Sequence, residues 1–334
     1  MNARVVVLGG GAWGTALAVH LAAHSRERPA VTLYMRDPDA VRATLADREN
    51  RRYLPGIPIP ANVALTTTLD GLRADVLFVA TPVAAIPDIR NALDRAALRA
   101  PAFTLAKGFV PAAGRAEGFV LPHEALARGW PHAVGSVSGP TFAGEVAQGL
   151  PTALVVAATD AQVTRDVAAL LRSDSLRAYT SADVVGVELG GAVKNVFAIA
   201  AGASDGLGFG DNARAALVTR ALAESARLSH ALGAAPETLM GLAGLGDLVL
   251  TCTGNLSRNR RVGLALARGE PLDAIVAALG HVAEGVPAAR AVRAVARHHR
   301  VDMPIVEAVY RVLYEGTPLR EAVLSLLARE GGPE

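Results

Sequence analysis

The chain has 334 residues, of which 51% are hydrophobic and 19% are charged, and its formal net charge at pH 7 is +2. Such a composition is typical of a globular protein, and the length is sufficient for two domains with a core each. No run of like charges is long enough to indicate a nucleic-acid partner.

The single cysteine, Cys252, excludes an intramolecular disulfide and fits a reducing compartment. No uncharged apolar run reaches the ~18–20 residues of a membrane span. The first apolar run, VVVL, begins at Val5 and is not preceded by a signal-peptide pattern. We therefore expect a cytoplasmic protein without a membrane span.

The first half of the chain alternates short apolar runs with helix-length segments, a pattern typical of a parallel sheet covered on both faces. The predicted strands are 4–9, 31–35, 75–81, 102–107, 133–138, 152–158 and 176–181. From about residue 184 the pattern predicts helices only. In segment 213–233 the predicted apolar face consists of Leu217, Leu222, Leu228 and Leu232. We expect a doubly wound α/β domain over residues 1–183 and an all-α domain over residues 184–334.

A glycine motif, Gly9-x-Gly11-x-x-Gly14, lies between the first predicted strand and a predicted helix. Glycines at this spacing allow a tight turn, close approach of a pyrophosphate and close strand–helix packing. The segment VTLYMRD follows about one strand–helix unit later. The motif predicts a Rossmann-type domain that binds a dinucleotide.

Arg36 and Asp37 follow the second predicted strand, where such domains contact the adenosine ribose. An arginine there matches a 2′-phosphate, whereas an aspartate matches the ribose hydroxyls. With Arg36 as the contact, we expect NADP(H) to be preferred and NAD(H) to be usable; with Asp37 as the contact, the preference is reversed.

Lysine is rare in this chain, which has 31 arginines but only Lys107 and Lys194. Arginine always holds its charge, while lysine is a compact amine that can release a proton. A drift toward arginine would have removed lysines that arginine can replace, so both lysines are candidate functional residues. Lys107 lies at the carboxyl end of a predicted strand, the edge where ligands bind in open α/β sheets.

The segment SRNRR predicts a helix that begins at Ser257 with several arginines in its first turn. Cations oppose the macrodipole at a helix N-terminus, so an anion such as a phosphate is expected there. Alternatively, the arginines extend into solvent or pair with acids elsewhere. Asp247, flanked by glycine, is a candidate partner for a lysine or a hydroxyl, although a Gly-Asp pair is also common in turns.

The eight histidines and Cys252 show no metal-ligand spacing, so we expect no metal site, and the sequence has neither a G-x-S-x-G elbow nor a P-loop. Cys252 is interpreted as a packing residue. The remaining chemistry is hydride transfer with a lysine as proton donor, on a substrate that carries a phosphate.

The chain resembles the bacterial NAD(P)-dependent sn-glycerol-3-phosphate dehydrogenases from about residue 4 to residue 325. The segments that carry the resemblance are GGGAWGTALA, YLPGI, LAKGF, SGPTFAGEVAQGLPTA, GVELGGAVKNVFAIAAG, GLAGLGDLVLTCTGNLSRNRRVG and AEGVPAA. The resemblance implies a helical second domain like that of 6-phosphogluconate dehydrogenase, a homodimer, and interconversion of dihydroxyacetone phosphate and sn-glycerol 3-phosphate with NAD(P)H. The sn-glycerol 3-phosphate that is formed supplies phospholipid synthesis.

The resemblance also implies residue roles. Lys194 matches the proton donor and acceptor, Lys107 touches both substrate and cofactor, and Asp247 belongs to the catalytic site. The other implied substrate contacts are Gly139, Thr141, Asn195, Thr251, Ser257, Arg258 and Asn259. The implied cofactor contacts are Gly9, Gly11, Ala12, Trp13, Gly14, Arg36, Lys107, Ala143, Arg258, Val282 and Glu284.

Two positions depart from the family pattern, and two other functions compete with it. Ala12 stands where serine is frequent, and Val110 stands where glutamate is usual. One alternative is a related two-domain dehydrogenase acting on 3-hydroxyisobutyrate or 6-phosphogluconate. The other is a non-catalytic NADP-binding redox sensor, which would have no need of the two lysines.

Overall fold

The computed structural model describes residues 3–279 and 283–327. The chain divides into two compact units. Unit 1 contains the described residues up to Val110 together with Val120–Glu188. Unit 2 contains Pro111–Phe119 and the described residues from Leu189 onward.

The strands of the described chain are short, as the sequence indicates. They are β1 (Arg4–Leu8), β2 (Ala30–Tyr34), β3 (Val63–Thr66), β4 (Val76–Val79), β5 (Ala102–Thr104), β6 (Val110–Pro111), β7 (Phe119–Val120), β8 (Val134–Ser138), β9 (Thr152–Ala158) and β10 (Leu176–Ser181). Eight of them form one sheet in the order β10-β9-β8-β5-β4-β1-β2-β3. β6 and β7 lie where the chain passes between the units.

The helices of unit 1 connect these strands. They are α1 (Ala12–Ala23), α2 (Pro38–Asp47), α3 (Ile86–Arg95), α4 (Pro122–Ala127), α5 (Ala143–Ala147) and α6 (Ala161–Leu171). Both faces of β1 are buried: Val5 and Val7 pack in a cluster with α1 and α6, while Val6 and Leu8 pack in a second cluster with α3. The predicted doubly wound α/β class is confirmed.

The sheet differs from the prediction in two respects. β3, at the sheet edge, was not predicted, because its apolar run of Val63, Ala64 and Leu65 is only three residues long. The sheet is mainly parallel, as predicted, but β8 and β9 pair in antiparallel fashion. Their connection contains only the five-residue helix α5, about 7 Å long, which is too short to carry the chain back along a strand of about 16 Å.

From Leu189 onward, the described part of unit 2 is helical, as predicted. α7 (Val184–Gly206) enters it from unit 1 and is followed by α8 (Gly210–Ala231), α9 (Pro236–Met240), a π-helical turn (Leu242–Gly246), α10 (Asp247–Thr253), α11 (Arg258–Ala267), α12 (Leu272–Leu279), α13 (Gly285–His298), α14 (Pro304–Tyr314) and α15 (Leu319–Leu327).

Helix α7 is mostly apolar and is buried on nearly all sides. Among the described helices it alone is long and apolar enough to cross a membrane by length and composition, and 89% of its most apolar window is buried inside the protein. An apolar helix buried in this way is typical of the centre of a helical domain.

The face that α8 buries differs from the prediction. Of the four predicted leucines, Leu228 is buried and the others are half-buried. The buried positions are Ala221, Glu224, Ser225, Leu228 and Ser229. The interpretation was wrong because Glu224, Ser225 and Ser229 take inner positions in place of leucine. Glu224 accepts from N–H groups of α14, and Ser225 donates to the Ala221 oxygen within α8. Periodicity of apolar residues does not reveal such positions.

Candidate active site

The glycine loop between β1 and α1 has the geometry of an anion cradle. Gly9 has a φ of +118°, and a Cβ on Gly14 would lie 1.9 Å from the Gly9 oxygen, so the turn requires glycine at both positions. Nothing lies within 4 Å of the position that a Cβ on Gly11 would take. No side chain caps the N-terminus of α1, which leaves its first turn accessible to an anion.

The carboxyl ends of β5 and β8 bring several predicted residues together in unit 1. Lys107 Nζ donates to the Gly139 oxygen at 3.1 Å, and Thr141 Oγ1 donates to the same oxygen at 3.2 Å. Trp13 Nε1 donates to the Thr141 oxygen at 3.0 Å, which joins the glycine loop to this segment. Ala143 opens α5 two residues later.

Arg36 and Asp37 have different surroundings. Asp37 is the N-cap of α2, and its carboxylate accepts from the N–H groups of Asp39 and Ala40. Arg36 is exposed at the end of β2. Asp37 Oδ1 is therefore engaged in a helix cap.

Two buried hydroxyls near this edge were missed from the sequence. Within the described residues, Thr81 Oγ1, which follows β4, and Ser138 Oγ, at the end of β8, have no hydrogen-bond partner. Buried polar atoms without partners are rare and call for an explanation such as a ligand or an ordered water. Each of these two residues is a small polar residue at the carboxyl end of a predicted strand, and that position was the sequence signal that could have identified them.

Close packing between α7 and the π-helical turn positions the two central residues of unit 2. A Cβ on Gly190 would lie 2.4 Å from the Ala243 oxygen, so glycine is required for the approach. The Gly246 N–H donates to the Gly241 oxygen five residues earlier, which makes the turn wider than an α-helix. Lys194 and Asp247 lie one helical turn beyond Gly190 and Ala243, on the same sides of their helices.

Lys194, Asp247 and Thr251 form a buried cluster. Lys194 Nζ donates to Asp247 Oδ1 and, at 2.8 Å, to Thr251 Oγ1. Thr251 Oγ1 donates to the Asp247 backbone oxygen at 2.6 Å. Lys194 is 7% exposed and Asp247 is 1% exposed. The adjacent carboxylate favours the charged ammonium, and the hydroxyl fixes its direction.

Asn195 and Asn259 bond to each other. Asn259 Nδ2 donates to Asn195 Oδ1 at 2.8 Å, and Asn259 Oδ1 accepts from the Gly285 N–H at 2.9 Å. Glu284, half-buried, is the N-cap residue of the same helix, α13. Val282, another predicted cofactor contact, lies outside the described residues.

The arginines after Ser257 have different environments. Ser257 caps α11 by accepting from the Arg260 N–H, as predicted. Arg260 pairs at 2.7 Å with Asp205, whose side chain is 8% exposed and which also pairs with Arg214. Arg258 and Arg261 are exposed. Pairing with an acid therefore explains why Arg260 is tolerated near the N-terminus of α11. It does not explain Arg258, which lies in the first turn of the same helix.

Other chemistries find no support in the described residues. No group of three His, Cys, Asp or Glu side chains in that part of the chain is placed to hold a metal ion. Burial raises the pKa of the Cys252 thiol to about 12, so the thiol stays protonated and is a poor nucleophile. This agrees with the interpretation of Cys252 as a packing residue.

The comparisons with known proteins agree across the chain. Residues 4–164 match the N-terminal family model of NAD-dependent glycerol-3-phosphate dehydrogenase, and residues 183–324 match the C-terminal model. The chain belongs to this family. The resemblance inferred from the sequence is confirmed, and so is a Rossmann-type domain followed by a helical one.

Individual members of the glycerol-3-phosphate dehydrogenase family are similar over nearly their whole length. The chain is 49% identical over 332 residues to glycerol-3-phosphate dehydrogenase (NAD(P)+) of Aromatoleum aromaticum, covering 98% of each chain. It is 50% identical over 336 residues to the protein of the same name from Paucimonas lemoignei, covering 98% and 97%. The crystal structure of glycerol-3-phosphate dehydrogenase from Coxiella burnetii has a TM-score of 0.91 at 38% identity, covering 98% and 99%.

Proposed function

We propose that this chain interconverts dihydroxyacetone phosphate and sn-glycerol 3-phosphate with NAD(P)H, and so supplies glycerol 3-phosphate for phospholipid synthesis. Membership of the family supports the reaction, and the buried cluster of Lys194, Asp247 and Thr251 is the observation that carries its chemistry. Reduction of a carbonyl needs a group that delivers a proton to oxygen, and a buried ammonium held by a carboxylate meets that need.

The residues of unit 1 fit a dinucleotide. The open space at Gly11, the uncapped N-terminus of α1 and the unpartnered Thr81 Oγ1 are features that a bound pyrophosphate and its neighbours would explain. Gly9, Gly11, Ala12, Trp13 and Gly14 would hold it, with Arg36, Lys107 and Ala143 as further contacts. When bound, the nicotinamide would supply the hydride for the substrate carbonyl carbon.

In the proposed mechanism Lys194 acts as the general acid. As the carbonyl oxygen gains alkoxide character, the ammonium stabilises it and donates a proton, which completes the alcohol. Asp247 keeps Nζ charged and in place until transfer, and Thr251 orients it. The neutral amine then regains a proton from solvent. In the reverse direction the amine accepts the proton of the alcohol.

The substrate phosphate is assigned to the start of α11. Arg258 is exposed in the first turn, and an anion at a helix N-terminus is stabilised by the N–H groups and the macrodipole. Asn195, Asn259, Gly139 and Thr141 are the further proposed substrate contacts.

A nicotinamide absorbance assay tests the proposed reaction. We expect the purified protein to oxidise NADPH in the presence of dihydroxyacetone phosphate and to form sn-glycerol 3-phosphate. Turnover of 3-hydroxyisobutyrate or 6-phosphogluconate in its place would support a related dehydrogenase. Binding of NADPH with no turnover of any of these substrates would support a redox sensor.

We further propose that NADP(H) is preferred, because Arg36 is exposed for a 2′-phosphate while the Asp37 carboxylate is engaged as a helix cap. A charge-assisted contact contributes roughly 1.5–3 kcal/mol, and we expect about a ten-fold preference in kcat/KM. Arg36→Ala should lower kcat/KM for NADPH and leave that for NADH nearly unchanged. A wild-type preference for NADH, or an equal loss with both cofactors, would assign the ribose to Asp37 instead.

Three further proposals concern organisation and location. We place the domain boundary near residue 183, expect a homodimer on the strength of the family resemblance, and expect a cytoplasmic location because the composition and single cysteine fit it. Light scattering coupled to size-exclusion chromatography tests the dimer, because a monomer would give half the molar mass expected for a homodimer.

A further inference from the structure

Asn50 is a buried polar residue that the reaction itself does not use. It lies in the segment after α2 and is 3% exposed. Its Nδ2 donates to the Gly10 oxygen and to Thr15 Oγ1, each at 2.8 Å. Its Oδ1 accepts from the Tyr53 N–H at 3.3 Å. Both N–H groups and the oxygen of the side-chain amide therefore form hydrogen bonds within the protein.

The contact with Gly10 determines which way the next peptide group points. The Gly10 C=O and the Gly11 N–H belong to one trans peptide plane and point in opposite directions. Because Asn50 holds the carbonyl, the Gly11 N–H is directed away from Asn50. Gly11 is the N-cap residue of α1, where no side-chain cap is present and the Cβ position is open.

The contact with Thr15 connects the same amide to the first turn of α1. Thr15 is fully buried, and its N–H donates to the Gly11 oxygen at 3.0 Å. One side chain thus orients the loop peptide and anchors the helix that follows. A loop rich in glycine has little conformational preference of its own, so an external anchor is needed to keep its N–H groups aligned.

We propose that Asn50 is a positioning residue for the dinucleotide pyrophosphate, and that it acts by holding the Gly10 carbonyl so that the Gly11 N–H faces the anion. The inference rests on the proposed use of a dinucleotide by the glycine loop. It does not depend on which substrate is reduced.

The test is Asn50→Asp, which keeps the shape but replaces the donor with an oxygen that repels the Gly10 carbonyl. We expect the Kd for NADPH, measured by its fluorescence, to rise about ten-fold to a hundred-fold. The KM for NADPH should rise in parallel, while kcat and the KM for dihydroxyacetone phosphate stay within about threefold. Asn62→Asp is the matched control, since Asn62 is exposed and its Nδ2 donates to the Ala22 oxygen at the other end of α1.

Two further variants keep the test decisive. If Asn50→Asp does not fold, Asn50→Ala, which introduces no buried charge, should show the same loss of affinity. Thr15→Val removes only the helix contact and should raise the Kd less than threefold. A Kd within twofold of wild type in Asn50→Ala or folded Asn50→Asp, or a loss in Thr15→Val as large as in the Asn50 variant, would overturn the proposal.

The outcomes for Asn50 and for the reaction are distinguishable. If wild type binds NADPH but does not reduce dihydroxyacetone phosphate, the proposed reaction fails and the Kd comparison still decides the role of Asn50. If wild type binds neither NADPH nor NADH, both proposals are overturned.

Discussion

The two lysines of this chain show that the choice of lysine over arginine can mark functional positions. Lys194 is buried against Asp247 and Thr251, and Lys107 donates to Gly139 at the carboxyl edge of the sheet. An arginine at position 194 would keep an ion pair with Asp247, because its charge and its donors suit a carboxylate. It would not release the proton that the reaction needs.

Lys194→Arg should therefore fold and bind cofactor but lose about 10²–10⁴-fold in kcat. Circular dichroism and NADPH fluorescence establish folding and binding, and steady-state kinetics measure the loss. Lys107→Arg is the matched comparison, in which we expect KM to rise as kcat falls, because this lysine acts by position and charge. Retention of more than a tenth of wild-type kcat by Lys194→Arg would remove it from proton transfer.

Arg258 should recognise the substrate phosphate. Arg258→Ala should raise the KM for dihydroxyacetone phosphate by about ten-fold or more, because a charge-assisted hydrogen bond is lost. Unphosphorylated dihydroxyacetone, a poor substrate for wild type, should be much less affected, and sulfate should compete with the phosphorylated substrate. Arg261→Ala, an exposed arginine in the same helix, is the control. Equal losses on both substrates would show that Arg258 is structural.

At the scale of the element, glycines determine how closely the helices of unit 2 approach. A Cβ on Gly263 of α11 would lie 2.0 Å from the Ile199 oxygen of α7, and one on Gly202 would lie 1.9 Å from the Arg260 oxygen. Both are backbone contacts that no rotamer change can relieve. The close approach also allows Arg260 to reach Asp205 near the end of α7.

Gly263→Ala should lower the free energy of unfolding by about 1–3 kcal/mol, because the overpacking exceeds the gain of roughly 1 kcal/mol from alanine in a helix. Urea denaturation measures the change. Gly144→Ala is the control, since nothing lies within 4 Å of its Cβ position. It should leave stability unchanged or raise it slightly. If Gly263→Ala left the free energy of unfolding unchanged, α7 and α11 could move apart without loss of stability.

At the scale of the whole molecule, a buried carboxyl makes stability depend on pH. Glu224 of α8 is 3% exposed, and its carboxyl accepts from the N–H groups of Ile305 and Val306 in the first turn of α14. Burial raises its pKa to about 7 despite the two N–H groups, which favour the carboxylate. The folded state therefore binds a proton that the unfolded chain releases at a lower pH.

This proton linkage predicts the sign of the pH dependence. The contribution of Glu224 to stability is fully present below its ordinary pKa of 4.5 and is lost as pH rises to about 7. The loss is on the order of 3 kcal/mol. Glu224→Gln should flatten the decline in unfolding free energy over that interval. Glu237→Gln, at an exposed position, should keep the wild-type slope, and a wild-type slope in Glu224→Gln would contradict the assignment.

The buried pair of Glu188 and His123 changes the pH dependence of wild-type stability in the same direction as Glu224. The pKa of Glu188 is raised by burial, and that of His123 is raised because the hydrogen bond and charge of Glu188 outweigh burial. Both groups hold protons more tightly in the folded state, so stability again declines as pH rises. The difference between wild type and Glu224→Gln isolates the effect of Glu224, because the pair is common to both.

The sequence by itself determined the features that depend on neighbouring residues. The spacing of Gly9, Gly11 and Gly14, the alternation of strand and helix, and the helical periodicity after residue 184 were sufficient for the fold class and the type of ligand. The isolated lysines and the Ser257 helix start indicated the chemistry. Each of these signals is local, because turns, caps and periodicity are encoded within a few residues.

Only the tertiary structure decided which distant groups meet. The antiparallel pairing of β9, the pairing of Arg260 with Asp205, and the burial of Asn50 and Glu224 could not be predicted from the sequence. Each depends on contacts between segments far apart in the chain or on the length of a connection. A polar residue in a sequence is expected at the surface, and only its partners in the folded chain show why it is buried.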